Sequence, residues 1–362
     1  MVKMSKIPVG ILGATGTVGQ RFIQLLADHP WFQVTALTAS DRSIKQKYGD
    51  VCHWLLPTPM PKCVRDLVVQ PTEGAPDLDC SLVFSALPSE SAGLVEEGFA
   101  QAGYLVCSNA AAHRLDVDVP LLIPEVNPDH TALIEVQQRQ RGWQGFIVTS
   151  ANCSTTQLVL ALKPLNDAFG LRKVFVVTMQ AISGAGYPGV PSMDILGNLI
   201  PYISGEEEKI ERESVKLLGK SEREWVSDAP FVVSAQCNRV PVREGHTECV
   251  SVEFEHKPNV GELIAVLEAF RGSVDVAELP SSPAQPLLIL RETDRPQPVR
   301  DVDAGDGMSV VIGRVRPCPL FDFKFVVLGH NTLRGAAGGA IHNAELLVAQ
   351  KWTNPLPTRF SA

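Results

Sequence analysis

The spacing of hydrophobic positions changes character partway along the chain. At the start, the apolar run "IPVGIL" (7–12) passes through "GATGTVG" into "QRFIQLLADH", where Phe22, Leu25 and Leu26 fall at helical spacing. "FQVTALTAS" (32–40) and "CSLVFSALP" (80–88) read as further strands. "ESAGLVEEGFAQAG" (90–103) reads as a helix closed by glycine, with "YLVCSNA" as the strand that follows it. Strand and helix alternate, which predicts an α/β fold: a Rossmann-type, doubly wound parallel sheet over residues 1–150.

From there β-type runs dominate. "KVFVVTMQAIS" (173–183), "FVVSAQCNRVPV" (231–242), "ECVSVEFEH" (248–256), "PLLILRE" (286–292) and "MSVVIGRVR" (308–316) have few helices between them. They predict an α+β domain over 151–332 built on a large, mixed or mostly antiparallel sheet. "FKFVVLGHNTLRGAAGGAIHNAELLVAQKW" (323–352) reads as strand, turn and one long helix, with 333–352 packing back on the first domain. The Pro-rich stretches 280–298 and 353–357 read as surface connection and tail.

Composition narrows the function. The chain has 362 residues, 45% hydrophobic and 20% charged, which suits two globular domains with cores of their own. A net charge of −8 argues against a nucleic-acid surface, and no apolar run reaches the roughly 18 residues of a membrane span. The opening "MVKMSKIPVGILGATG" runs into a glycine turn with no small-residue cleavage site, so it reads as a first strand and not a signal peptide. The eight cysteines (Cys52, Cys63, Cys80, Cys107, Cys153, Cys237, Cys249 and Cys318) form no C-x-x-C pair, so no structural metal is expected. Scattered thiols without a secretory signal suit a reducing, cytoplasmic setting.

Three segments carry candidate chemistry. In "GATGTVG", Gly13, Gly16 and Gly19 punctuate a strand-to-helix turn, the arrangement that lets a dinucleotide pyrophosphate approach backbone amides; the competing reading is a tight turn without a ligand. After the second strand come Ser40, Asp41, Arg42 and Ser43; the serines and the arginine suit a 2′-phosphate and hence NADP, while Asp41 pulls toward NAD. In "TSANCSTTQ", Cys153 stands where a strand ends and a helix begins, a position that favours thiolate, with Ser154, Thr155 and Thr156 available as the cap. The alternative is a packed thiol, so a base must be found. His246 in "NRVPVREGHTECV" sits at a loop or strand end, and Arg239 seven residues earlier has the planar fork that suits a carboxylate; a structural histidine and a surface ion pair are the rival readings. "QAISGAGYPG" (180–189) places Gln180 at a strand end before glycines that can approach a flat ring, or that merely make a loop flexible.

"GATGTVG", "SNAAAHR", "SANCSTT", "QAISGAGYPG", "GEEEK" and "NRVPVREGH" occur in that order, and with them the chain resembles the aspartate-semialdehyde dehydrogenase family, in its archaeal and fungal branch, over essentially its whole length. The resemblance implies NADPH-dependent reduction of L-aspartyl 4-phosphate to aspartate semialdehyde and phosphate, in threonine, methionine and, in some organisms, lysine biosynthesis. It makes Cys153 the nucleophile that forms an acyl-thioester, His246 the general acid/base and Gln180 the group that orients the acyl carbonyl. Arg239 then grips the substrate α-carboxylate, the acidic run at 206–208 meets the α-amine, and Arg114 and Lys209 bind the departing phosphate, with Asn109 as a further substrate contact. Glu206, three residues before Lys209, shares its helical face; Glu207 or Glu208 is the alternative, and a solvated helix start the bland one. Gly13, Thr15, Gly16, Thr17, Val18, Ser40, Arg42, Ser43, Ser85 and Leu87 line the adenosine and pyrophosphate half of NADP in this likeness, with Ser183, Gly184, Gly186 and Asn331 near the nicotinamide. It also implies a homodimer or homotetramer through the β-rich domain. The rivals are an acyl-CoA reductase such as malonyl-CoA reductase, which would keep Cys153 and His246, and a catalytically idle NADP-binding regulator. N-acetylglutamyl-phosphate reductase shares the fold and the cysteine, and a Cys–His hydrolase leaves the glycine turn unexplained.

Overall fold

The apolar run at the start forms β1 (Ile7–Leu12) in the computed structural model, which describes residues 6–74 and 77–353. The end of the Pro-rich tail (354–357) and the Asp41 side chain lie outside the described residues. β2 (Phe32–Ala39), β3 (Gln70–Pro71), β4 (Leu82–Ser85), β5 (Leu105–Ser108), β6 (Leu121–Leu122) and β7 (Phe146–Ser150) complete a sheet of order β3-β2-β1-β4-β5-β7-β6. Its pairings are all parallel. β4, β5 and β7 are buried along their whole length, as parallel strands covered on both faces must be, so they read as unbroken apolar runs. Helices α1 (Thr17–Leu26), α2 (Ser89–Gln101) and α3 (Leu133–Arg141) provide part of that cover. Strand order reverses between β1 and β4, and at such a point a crevice opens beyond the carboxyl ends of the strands.

β7 leads directly into α4 (Cys153–Phe169), and α4 leads into a second sheet. That sheet contains β8 (Leu171–Gln180) and, after the small ribbon of β9 (Lys220–Ser221) and β10 (Val226–Ser227), β11 (Val232–Arg239), β12 (His246–Phe254), β13 (Leu287–Ile289), β14 (Val310–Pro317) and β15 (Phe323–Gly329). Its order is β11-β8-β12-β15-β14-β13, with β8–β11 and β13–β14 parallel and the other pairings antiparallel, a mixed sheet. Leu158, Leu160, Leu162 and Leu165 of α4 are fully buried in one core with Val176, Val250, Phe325 and Val327. Each such side chain contributes about 1.5–3 kcal/mol. The α5 helix (Glu206–Leu217) adds Ile210 and Leu217 to this core, and α6 (Val260–Ala269) adds Leu263 and Leu267.

The segment after β15 departs from the single helix that its sequence predicts. It begins as one wide π-type turn, Leu333–Ala337, before α7 (Gly338–Ala349). Close approach explains the bulge: a Cβ on Gly335 would stand 2.7 Å from the Cβ of Cys153, so this turn is pressed against the start of α4. Beyond it, Ala340, Ile341, Ala344 and Leu347 of α7 share a core with Val9, Phe22 and Phe84 of the parallel-sheet unit.

The glycine turn shows the same intolerance of side chains. A Cβ on Gly19 would lie 2.3 Å from the Gly13 carbonyl oxygen, because α1 leaves the sheet at van der Waals contact with the turn. Gly19→Ala is therefore expected to cost about 1–3 kcal/mol of overpacking, read as a lower thermal midpoint; an unchanged midpoint would contradict this packing.

Candidate active site

Strand ends assemble the site. Gln180, the last residue of β8, pairs with Arg239, the last of β11, and Met179 lies opposite Thr247, the neighbour of His246 at the start of β12. His246 in turn faces Gly329 at the end of β15, two residues before Asn331. One edge of the mixed sheet thus gathers Gln180, Arg239, His246 and Asn331 from four separate segments. The N-terminus of α4 adds Cys153 to them.

Cys153 Sγ lies 3.2 Å from His246 Nε2. The backbone N–H of Ala181 donates to His246 Nδ1 at 3.0 Å, so in the neutral ring the proton belongs on Nε2, facing the sulfur. Burial and the neighbouring Arg239 lower the His246 pKa to about 3. Burial, with help from Glu206, pushes the Cys153 thiol up to about 12, against the opposite pull of Arg114, Arg239 and the Ser154 amide. The expectation that the helix start by itself favours thiolate is thus corrected: desolvation outweighs it, and the free site holds a thiol beside a neutral imidazole. The cap is also corrected. Asn152, and not the hydroxyls, caps α4, its side chain accepting from the N–H groups of Ser154 (2.9 Å) and Thr155 (3.2 Å). Thr156 Oγ1 instead donates to the Asn152 carbonyl at 2.9 Å, and Ser154 Oγ and Thr155 Oγ1 have no hydrogen-bond partner among the described residues.

Charged groups ring this pair. Of the acidic run, Glu206 alone turns inward: Oε2 accepts from Asn152 Nδ2 (2.9 Å) and Gln180 Nε2 (3.2 Å), and Oε1 from Lys209 Nζ (2.9 Å). Burial raises its pKa, but Lys209 and these hydrogen bonds outweigh that and leave it lowered, so Glu206 is ionised. Glu207 accepts from the Cys237 N–H on the edge of β11, and Glu208 is exposed. Arg239 is buried and donates through Nη1 to the Ala181 carbonyl at 2.7 Å, so it is no surface ion pair; burial lowers its pKa. Arg114 is buried as well, with Nη2 on the Asn109 carbonyl at 2.8 Å, while its Nε and Asn109 Nδ2 have no partner among the described residues. Gly184 packs directly over Arg239 and His246.

The predicted cofactor residues fall on two sides of a crevice. Gly13, with φ +76°, through Val18 follow β1, Ser85 ends β4 and Leu87 follows it, and Ser40, Arg42 and Ser43 follow β2, all at the carboxyl edge of the parallel sheet. Gly16 N–H closes the turn onto the Gly13 carbonyl at 3.1 Å, and the Thr15 carbonyl accepts from Gln20. Thr17 Oγ1 is buried without a partner among the described residues, and Ser85 Oγ is buried beside the Glu96 carboxyl. Across from them, Asn331 Nδ2 donates to Ser183 Oγ at 2.7 Å and Asn331 Oδ1 accepts from the Gly245 N–H at 2.9 Å. A cleft of about 660 Å³ joins the sides, lined by Thr17 and Arg21 on one and Ser183, Gly186, Tyr187 and Glu244 on the other. Arg21 and Glu244 were not among the sequence candidates. Arg21 Nη2 donates to Thr332 Oγ1 (3.2 Å) and stands 3.6 Å from Glu244, which accepts from Ser183 Oγ at 3.0 Å. The available signal was helical spacing, since Arg21 lies one turn after Thr17.

Known proteins share this arrangement of domains. The family profile described as "Semialdehyde dehydrogenase, NAD binding domain" matches residues 8–134, and "Semialdehyde dehydrogenase, dimerisation domain" matches 162–334. The aspartate-semialdehyde dehydrogenase of Archaeoglobus fulgidus is 53% identical over 343 residues, 95% of this chain and 98% of its own. The crystal structure of the Candida albicans enzyme with NADP superposes with a TM-score of 0.88 at 44% identity, covering 96% of this chain and 99% of that one. Aspartate-semialdehyde dehydrogenase II of Vibrio cholerae, solved in complex with ASA, gives 0.74 at 29% identity over 95% and 98%. With both domain profiles matched in order and near-complete coverage of such relatives, the chain belongs to the aspartate-semialdehyde dehydrogenase family.

Proposed function

We propose that this protein catalyses the NADPH-dependent conversion of L-aspartyl 4-phosphate to L-aspartate 4-semialdehyde and phosphate, a step in the biosynthesis of aspartate-family amino acids. One observation carries the reading. A cysteine at a helix start touches a histidine at 3.2 Å while Arg114, Arg239 and an ionised Glu206 act on it, a charge pattern suited to a phosphorylated, zwitterionic amino acid. The unpartnered hydroxyl of Thr17, beside a glycine turn that admits no side chain at Gly19, fits the polar backbone of a dinucleotide.

Because Nε2 carries the ring proton while the Ala181 N–H holds Nδ1, in this mechanism the ring gives up that bond and its proton moves to Nδ1; Cys153 then gives its proton to Nε2 as sulfur attacks the acyl carbon, and the thioester forms as phosphate leaves. A doubly protonated His246 would set Nδ1–H against the Ala181 N–H, so the charged ring is favoured only while an anion stands beside it. Arg114 and Lys209 hold the phosphate, with Asn109 beside them, while Arg239 and Glu206 hold the two ends of the amino-acid group. Gln180 polarises the acyl oxygen, and to do so it exchanges one of its hydrogen bonds to Thr178 or Glu206. NADPH, bound in the cleft by Thr15 to Val18, Ser40, Arg42, Ser43, Ser85 and Leu87, with Ser183 to Gly186 and Asn331 near its ring, supplies the hydride that reduces the thioester. His246 then returns its proton to the substrate oxygen, and takes it back as the thiohemiacetal collapses and the thiolate is released. In this reading residues 1–150 hold the cofactor and 151–332 carry catalysis and the subunit contact. That contact uses the open face of the mixed sheet, where Val177 and Met179 are half-buried and Val232 is 66% exposed, to form a homodimer or homotetramer. The eight free thiols and the absence, among the described residues, of a helix long and apolar enough to cross a membrane suit a cytoplasmic location.

Purified protein supplied with aspartate semialdehyde, phosphate and NADP is expected to form NADPH only when phosphate is present, and Cys153→Ala to lower the rate by at least about 10³-fold. Turnover with coenzyme A in place of phosphate would move the assignment to the acyl-CoA reductases. Because burial raises the thiol to about 12, inactivation of the free enzyme by iodoacetamide is expected to accelerate about tenfold per pH unit between pH 7 and 9; a rate already level at pH 7 would mean a preformed thiolate. Arg42→Ala is expected to raise the KM for NADP about tenfold while leaving that for NAD unchanged; equal changes in both would remove Arg42 from the 2′-phosphate.

A further inference from the structure

Helix α5 presents a second carboxylate to the site, which the steps above do not use. Glu213 follows Glu206 by seven residues, two helical turns, and so lies on the same face. It is buried, and its two oxygens have different partners. Oε1 accepts from Arg114 Nη1 at 3.0 Å, and Oε2 accepts from the backbone N–H of Asn152 at 2.6 Å. Asn152 is the residue that caps α4 and precedes Cys153. Three residues on, the buried Lys216 donates through Nζ to the carbonyls of Arg114 (2.8 Å), Asp116 (2.8 Å) and Val119 (3.1 Å). One face of α5 therefore ties the loop that carries Arg114 to the peptide that starts the cysteine helix.

We propose that Glu213 is a positioning residue for phosphate release: its planar carboxylate sets the guanidinium of Arg114 at a fixed separation and angle from the start of α4. This rests on the reading of Arg114 as a phosphate-binding group. Two of the five N–H donors of Arg114 are spent on Glu213 and the Asn109 carbonyl, and the others remain for an anion. A charge-assisted bond on one side and a backbone bond on the other leave the carboxylate no freedom to turn without breaking one of them. Glu213→Gln keeps the shape but removes one acceptor, because its amide NH2 must face either the Asn152 N–H or Arg114. Glu213→Asp keeps the charge but is one methylene too short to span both.

Steady-state kinetics in the phosphorylating direction, with phosphate, aspartate semialdehyde and NADP varied in turn, test this on the wild type, Arg114→Ala, Glu213→Gln, Glu213→Asp and the double variant Arg114→Ala/Glu213→Gln. Both Glu213 variants are expected to raise the KM for phosphate about tenfold, to leave the other two KM values within about twofold, and to unfold near the wild-type midpoint. In the Arg114→Ala background Glu213→Gln is expected to add nothing, since it acts through that side chain. The proposal is overturned if Arg114→Ala weakens phosphate while both Glu213 variants do not, or if all three KM values and the thermal midpoint move together, which marks a merely structural carboxylate. If Arg114→Ala itself leaves the KM for phosphate unchanged, the phosphate role of Arg114 fails first and this proposal with it.

Discussion

Desolvation of the half-buried Cys153 thiol is the constraint to which the surrounding structure responds. Removing a thiolate from water costs free energy, and that cost, with Glu206 adding to it, holds the thiol up at about 12 even though it sits at a helix start beside two arginines. The same burial holds His246 neutral. A site built this way keeps the Cys153 thiol protonated until compensating charge and hydrogen bonds arrive. The half-committed partners around it fit such a design. Arg114 has an unpartnered Nε, Gln180 divides its amide between Glu206 and Thr178, and Lys209 remains a third exposed.

Rigidity comes from what lies beneath these groups. α4 is pinned at its first turn by the Asn152 cap and by Gly335 pressed against Cys153, and from Ser154 to Leu162 it is buried against the mixed sheet. The turn that carries Gly335 is anchored by Arg334, which forms a two-pronged, fully buried ion pair with Glu125. Arg334 thus ties the turn to the loop after β6, and α7 continues into the core of the parallel-sheet unit. Cys153 is set where elements distant in sequence meet, which fixes its position closely.

Much of this was legible in the residues. The strands β1, β2, β4, β5, β8, β11, β12, β14 and β15 fall where apolar runs stand in the chain, and Gln180 and His246 lie at strand ends as their flanking glycines suggest. Glu206 faces the site together with Lys209, as an i, i+3 spacing on one helical face requires. Less legible were the features that depend on competition between neighbours. Asn152 competes with three following hydroxyls for the same amide donors, and it wins because its side chain reaches two of them from the N-cap position. The π-type turn at 333–337 breaks an otherwise continuous helical pattern because Gly335 must approach Cys153, a contact between residues far apart in the chain.

The sequence by itself determined the local devices: a glycine turn between strand and helix, a cysteine at a helix start, an alternating βα pattern followed by long strands, and a charge pair at Glu206 and Lys209. These follow from backbone sterics and side-chain periodicity over a few residues, so they can be read from a few residues. Only the tertiary structure decided which way each group is charged and what it touches. Cys153 and His246 are 93 positions apart, and Arg114 and Glu213 are 99. The protonation of the first pair and the orientation of the second depend on how far water is excluded around them and on partners delivered by other strands and helices. Desolvation and long-range hydrogen bonding are properties of the packed molecule, and no stretch of chain carries them alone.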